Sequence, residues 1–213
     1  MDLFCCEGGA SAGYHAAGFD VVGVDIEARP NYPHTFVQAD ALAPPFDLSS
    51  FDAIHASPPC QAFSTATRND IDYPDLIEPT RQMLIGSGVP WVIENVPGAP
   101  LNAPWSLFDP SAALILLCGS MFDTLLPRLH RHRLFESNVR ISSPSRCRHE
   151  LTRDVLSVVG NSEQGSSGRR GEYWGIEARR AAMGIDWTTR HGLSEAIPPA
   201  YTEHIGTQLL AAL

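Results

Sequence analysis

The sequence predicts an α/β domain built on a largely parallel sheet. Three observations carry that prediction: short Val- and Ile-rich runs that end in turn signals, helix-like stretches between them, and a length of 213 residues that suits one domain with its own core. Hydrophobic residues at 44% and charged residues at 18% place the chain among globular proteins rather than disordered ones.

Taken in order, "DLF" (2–4) is the first strand, and it passes through Gly8-Gly9 into a helix over 9–18. "DVVGVDI" (20–26) is the second, and another short strand precedes Asp40 in "QAD" (38–40). "FDAIHA" (51–56) and "VPWVIENV" (89–96) follow, separated by a helix over 74–87 with Leu76, Ile77, Thr80, Met83 and Leu84 at helical spacing. Residues 129–136, "LHRHRLFE", read as an extended segment. Ser, Asn, Gly, Pro and Arg dominate 137–171, which ends in "NSEQGSSGRRGE" and reads as a long surface insertion with a flexible tip. A final helix from Pro199 to Leu213 opens on Pro-Pro and carries Tyr201, Ile205, Leu209 and Leu210 on one stripe.

Composition narrows the function. The chain has no run of eighteen apolar residues and no signal peptide, so no membrane partner is expected and a cytoplasmic location is. Five cysteines, two of them adjacent, suit reduced thiols better than a disulfide framework. Cys118, His130, His132, Cys147 and His149 match no zinc-finger spacing, and no metal is expected. Net charge is −9, but it is unevenly spread. Residues 1–127 hold three arginines against fifteen acids, whereas 128–213 hold twelve against nine. A local basic face on an acidic body fits an electrostatic footprint for nucleic acid.

Six stretches carry chemistry. "DLFCCEGGASAGYHAAGF" (2–19) is a strand, a glycine turn and a helix, the arrangement that sets backbone N–H groups beside a ligand. It lacks the GxGxxG dinucleotide fingerprint. Asp25, closing "VVGVD", sits where an acid accepts hydrogen bonds from ribose hydroxyls, and Asp40 suits an adenine amino group. Each acid taken alone is as well read as a helix cap.

In "SPPCQ" the prolines hold Cys60 on a rigid loop. Enzymes that methylate exocyclic base amines follow a similar turn with an aromatic residue that stacks on the base. A cysteine suits covalent attack at pyrimidine carbon 6, which makes carbon 5 nucleophilic. Glu94 in "VIENVPG" has apolar and Pro neighbours, and a buried carboxyl with a raised pKa would protonate or hydrogen-bond the ring nitrogen. Arg131 and Arg133 alternate on one side of their segment, suited to a base carbonyl and flanking phosphates.

The order DLFxxxGG, Asp25, Asp40, PPCQ, ENV, RxR resembles the DNA (cytosine-5) methyltransferases. "ARRAAMGIDW" (178–187) and "LSEAIPPAYTEHIGTQL" (193–209) are similar to that family's closing motifs. The resemblance covers nearly the whole chain except 137–171. It implies one methyltransferase domain over 1–213 with a seven-stranded, mostly parallel Rossmann-like sheet. In it 137–171 is a reduced target-recognition insertion, and 178–213 packs back on the cofactor region. The implied cofactor is S-adenosylmethionine, lined by Phe4, Glu7, Gly8, Gly9, Asp25, Ile26, Asp40 and Pro59. The implied substrate is duplex DNA with a flipped-out cytosine. Cys60 would be the nucleophile, Glu94 its acid partner, Arg131 and Arg133 the base and phosphate contacts, and Gln61, Ser64 and Asn95 further substrate contacts.

The chain departs from the family pattern at Cys6 (usually Gly), Leu129 (usually Gln), Glu195 (usually Asn) and in the small insertion. Such an insertion implies a short recognition sequence, weak specificity or a helper protein. The same chemistry on RNA or a pyrimidine nucleotide, or an inactive DNA-binding relative, are the alternative readings.

Overall fold

The computed structural model describes residues 1–64, 71–101, 113–122, 129–149, 156, 158 and 175–213. Its centre is one seven-stranded sheet: β1 (Asp2–Leu3), β2 (Val22–Asp25), β3 (Thr35–Gln38), β4 (Ile54–Ala56), β5 (Trp91–Asn95), β6 (Ala113–Leu117) and β7 (Arg133–Ser137), in the order β3-β2-β1-β4-β5-β7-β6. The first five strands of that order pair in parallel, and β7 runs antiparallel to both β5 and β6. This is the mostly parallel, Rossmann-like sheet that the resemblance implies.

Helices α1 (Gly9–Ala17), α2 (Ile77–Ser87), α3 (Ile176–Met183), α4 (Arg190–Glu195) and α5 (Pro199–Leu210) accompany it. Alternation along β5 shows that both sheet faces are covered. Val92 joins the core formed with Tyr14 of α1 and Tyr201, Ile205 and Leu209 of α5. Its neighbours Trp91 and Ile93 join the core on the other side with Ile77 and Leu84 of α2. Each such side chain contributes roughly 1.5–3 kcal/mol when fully buried.

Helix α2 starts at Ile77 rather than 74, because Pro74 leads in and the Asp75 carboxylate accepts the Ile77 N–H at 2.9 Å. Leu210 is 39% exposed, outside the buried stripe of 201, 205 and 209, since it lies one residue and about 100° past that stripe. Gly206 lets α5 meet α1 closely, because a Cβ there would stand 2.8 Å from that of Ala17. On the α2 face, Arg81 forms a bidentate pair with Glu136 (Nε–Oε1 2.7 Å, Nη2–Oε2 2.8 Å), tying α2 to β7.

The expected insertion begins inside β7, which runs through Ser137. Its first residues belong to the body. Asn138 Oδ1 accepts the Trp91 N–H at 2.7 Å, and Ser142 donates N–H and O–H to Gln208 Oε1 of α5 at 2.9 Å. The tip "NSEQGSSGRRGE" lies outside the described residues. None of the described helices is long and apolar enough to cross a membrane.

Candidate active site

Strand order reverses between β1 and β4, and a crevice beyond the carboxyl ends of parallel strands at such a switch point is where ligands bind. A cavity of about 380 Å³ opens there. The residues that follow β1, β2 and β4, together with Glu94 of β5 and Arg133 of β7, form its walls. β7 runs against its neighbours, so its first residue, not its last, reaches this end of the sheet.

The turn from β1 to α1 has an unusual backbone. Phe4 and Cys6 hold φ of 58° and 45°, and Gly8 holds 84°. A Cβ on Gly8 would press to 2.6 Å from Pro33 Cδ, so only glycine fits the turn. Phe4, Cys6 and Gly9 line the cavity; Gly8 shapes the turn behind it. Glu7 does not face the cavity. Its carboxylate accepts the Thr189 N–H and O–H at 2.6 Å each, and its carbonyl accepts the Trp187 indole N–H at 2.8 Å. The sequence reading put Glu7 on the cofactor, whereas the side chain clasps the C-terminal segment.

Asp25, buried at the end of β2, accepts the Cys6 N–H at 2.9 Å, the Glu27 N–H at 3.0 Å and Arg29 Nη2 at 3.2 Å. Arg29, which sequence reasoning passed over, also lies 3.3 Å from Glu27, and both line the cavity. The four-residue spacing of Asp25 and Arg29 was the available signal. Asp40 is exposed at the rim and accepts the Leu42 N–H at 2.9 Å. Ile26 beside it is 68% exposed, an apolar surface at the mouth. Below them, burial pushes the Asp2 carboxyl up to about 7, although Ser11 donates to it.

Beyond β4, Pro59, Cys60 and Gln61 line the opposite wall. Backbone N–H groups of Phe63 and Ser64 both donate to the Cys60 carbonyl at 3.0 Å, closing a turn behind the thiol. Asn95 donates from Nδ2 to the Pro58 carbonyl at 2.9 Å, so it braces the Pro-Pro loop instead of facing the cavity. Ser64 also sits off the cavity wall, whereas Gln61 Oε1 is buried there without a hydrogen-bond partner among the described residues.

Glu94 is buried, and loss of hydration raises its pKa, with Arg133, Arg131 and a hydrogen bond from Ser57 pulling the other way. Burial also raises the Cys60 thiol pKa; the Glu94 charge adds to this, and Arg133 and Arg131 oppose it. Arg133 Nε reaches Glu94 Oε1 at 2.9 Å, close enough to pair but misaligned for a hydrogen bond. Arg131 is placed differently from its sequence reading. Its guanidinium donates to the Val158 and Ser194 carbonyls at 2.7 Å each and lies behind the cavity. Burial, then repulsion from Arg133, lowers its pKa to about 9.

The last wall comes from Ser194, Glu195, Ala196 and Ile197, with His191 beside them. Two departures from the family pattern meet here: Cys6 Sγ lies 3.8 Å from Glu195 Oε2, and His191 Nε2 lies 3.3 Å from Glu195 Oε1. Burial, followed by the charges of Glu195 and Asp25, holds the Cys6 thiol protonated well above its usual range.

No protein-family model matches the chain, and no curated protein does. Among solved structures the chain is similar to a prophage-encoded protein of E. coli described as a DNA modification methyltransferase. The TM-score is 0.60 at 16% identity, covering 99% of this chain and 97% of the other. At that identity the likeness is one of fold, extending over the whole of both chains.

Proposed function

We propose that the chain is a DNA (cytosine-5) methyltransferase that uses S-adenosylmethionine. The observation that carries this reading is the convergence of Cys60, Glu94 and Arg133 in one cavity whose other wall holds Asp25, Ile26 and Asp40. The second group suits the cofactor: carboxylates for its hydroxyl and amino groups and an exposed aliphatic face for its adenine. When bound there, S-adenosylmethionine supplies an electrophilic methyl group.

The protein's own residues do the rest. A cytosine rotated out of the duplex brings its N3 to Glu94, whose raised pKa keeps a proton available. Protonated Glu94 no longer opposes ionisation of Cys60, while Arg133 and Arg131 still favour it. Cys60 gives its proton to water, and the thiolate adds to carbon 6 as N3 takes the Glu94 proton and electron density moves to carbon 5. Carbon 5 would then take the methyl group that the bound cofactor supplies, the methyl–sulfur bond breaking with its electron pair left on the departing thioether. Loss of the carbon 5 proton to water then expels the Cys60 thiolate as N3 returns its proton to Glu94, which restores the aromatic ring. Gln61, with its unsatisfied Oε1, is placed to read the exocyclic amine.

The test is labelled S-adenosylmethionine with duplex DNA, single-stranded DNA, RNA and free cytidine nucleotides, followed by nucleoside mass spectrometry. Label in 5-methylcytosine of duplex DNA supports the reading; label confined to RNA or nucleotides moves the substrate. Cys60→Ala is expected to abolish transfer. Transfer by that variant at the native rate, or label on an exocyclic amine, overturns the chemistry. Cofactor binding without any transfer would favour a DNA-binding relative.

A further inference from the structure

We propose that Cys118, His132, Cys147 and His149 form a structural zinc site. The sequence reading found no metal here because the order, C-x13-H-x14-C-x-H, matches no familiar ligand spacing. The fold removes that objection. Cys118 follows β6, His132 immediately precedes β7, and Cys147 and His149 lie on the segment returning after β7. Antiparallel pairing of β6 with β7 sets the first two side by side, with Leu117 opposite Arg133.

One donor atom from each of the four residues lies within 4.8 Å of the other three. His149 Nε2 is 3.2 Å from Cys118 Sγ and 2.8 Å from Cys147 Sγ, and His132 Nε2 is 3.4 Å from Cys147 Sγ. Donors around a tetrahedral zinc, with bonds of about 2.0–2.3 Å, stand roughly 3.3–3.8 Å apart. Two thiolates and two imidazoles are a donor set that favours zinc, and four protein ligands leave no open position, which marks a structural rather than a catalytic centre.

The surroundings hold the donors in place as second neighbours of a metal do. Ser120 Oγ stands 3.4 Å from each sulfur and accepts the Arg148 N–H at 3.1 Å. The His130 ring stacks on His149 with centroids 4.0 Å apart and planes 16° apart. The ion would therefore pin the 145–149 segment to the sheet edge and fix the backbone between Arg131 and Arg133. Arg146 and Arg148, both exposed, alternate with two of the ligands and would be held outward. Metal binding itself does not depend on the methyltransferase reading.

The test starts with the untagged full chain, expressed in zinc-supplemented medium and purified without chelator. Elemental analysis is expected to find about one zinc per chain, falling below about one-tenth in Cys147→Ser and His149→Ala. Replacement by Co²⁺ is expected to give visible d–d bands of tetrahedral intensity and thiolate charge transfer in the near ultraviolet. A native chain without stoichiometric zinc that also fails to develop the Co²⁺ spectrum overturns the proposal. So does undiminished zinc in both variants, or a Cys118–Cys147 disulfide in metal-free native protein. Because the native spectrum is sufficient to decide, a variant that fails to fold does not blunt the test.

Discussion

Glu94 Oε1 and Arg133 Nε face each other at 2.9 Å, with 7% and 13% of their side-chain surfaces exposed, beside the thiol of Cys60. The pair sets two opposing influences on the thiol, one from each charge. On the proposed mechanism Glu94 holds a proton as it meets the base, and its charge then no longer opposes ionisation of the thiol. Activation of Cys60 is thereby coupled to arrival of the base.

Replacing Glu94 by Gln therefore removes the proton donor while leaving the cavity's shape. Methyl transfer is expected to fall on the order of 10²–10⁴-fold with cofactor affinity retained. On the proposed mechanism the wild-type rate should decline once rising pH removes the Glu94 proton, whose pKa burial raises. The variant, uncharged at every pH, should lose that limb. Single-turnover rates across pH, paired with calorimetric cofactor titration, check both.

Cys6 occupies φ of 45°, a conformation that costs side-chain-bearing residues roughly 1–2 kcal/mol and glycine almost nothing. Cys6→Gly is expected to raise unfolding stability by about 1 kcal/mol and to end the contact with Glu195. Urea denaturation of the two proteins measures the change. A loss of stability would show that the thiol's packing outweighs the backbone cost.

Asp2 has the opposite pH signature to an ordinary paired carboxylate. Its pKa rises from 3.8 to about 7 on folding, chiefly through burial, with Ser11 and the N-terminal ammonium opposing and Asp25 and Glu94 adding to the rise. Between those values the native state keeps a proton that the unfolded chain has released, so this group's contribution declines as pH rises. Asp2→Asn is expected to remove up to about 1.4 kcal/mol per pH unit of that decline. Denaturant midpoints at intervals from pH 4 to 8 measure it.

The buried Arg81–Glu136 pair predicts strong non-additivity. Removing Arg81 leaves Glu136 buried without its counterion and should cost about 3–5 kcal/mol, whereas removing Glu136 should cost less because Glu78 still pairs with Arg81. The double replacement by Met and Leu should cost far less than the sum. A double-mutant cycle by chemical denaturation gives the coupling directly.

Much of the sheet could be read from the chain because buried parallel strands are short Val- and Ile-rich runs, as in "DVVGVDI" and "VPWVIENV". β6 was missed: "ALILL" has no period that distinguishes a strand from a buried helix turn. Cys60 and Glu94 were expected to share a site, and the strand ends that hold them bring both to the wall of one cavity. Glu7, Asn95 and Arg131 were read as ligand contacts, yet each makes hydrogen bonds to the chain itself. Motif position gives the neighbourhood of a side chain and not its hydrogen-bond partner. The cysteine–histidine cluster was hidden for a related reason, since antiparallel pairing brings Cys118 and His132 together and the segment after β7 returns Cys147 and His149 to them.

The clasp of Glu7 on Thr189 spans 182 residues of sequence. During synthesis the cavity consequently has no closed wall until the segment reaching Ile197 has left the ribosome and returned to the first turn.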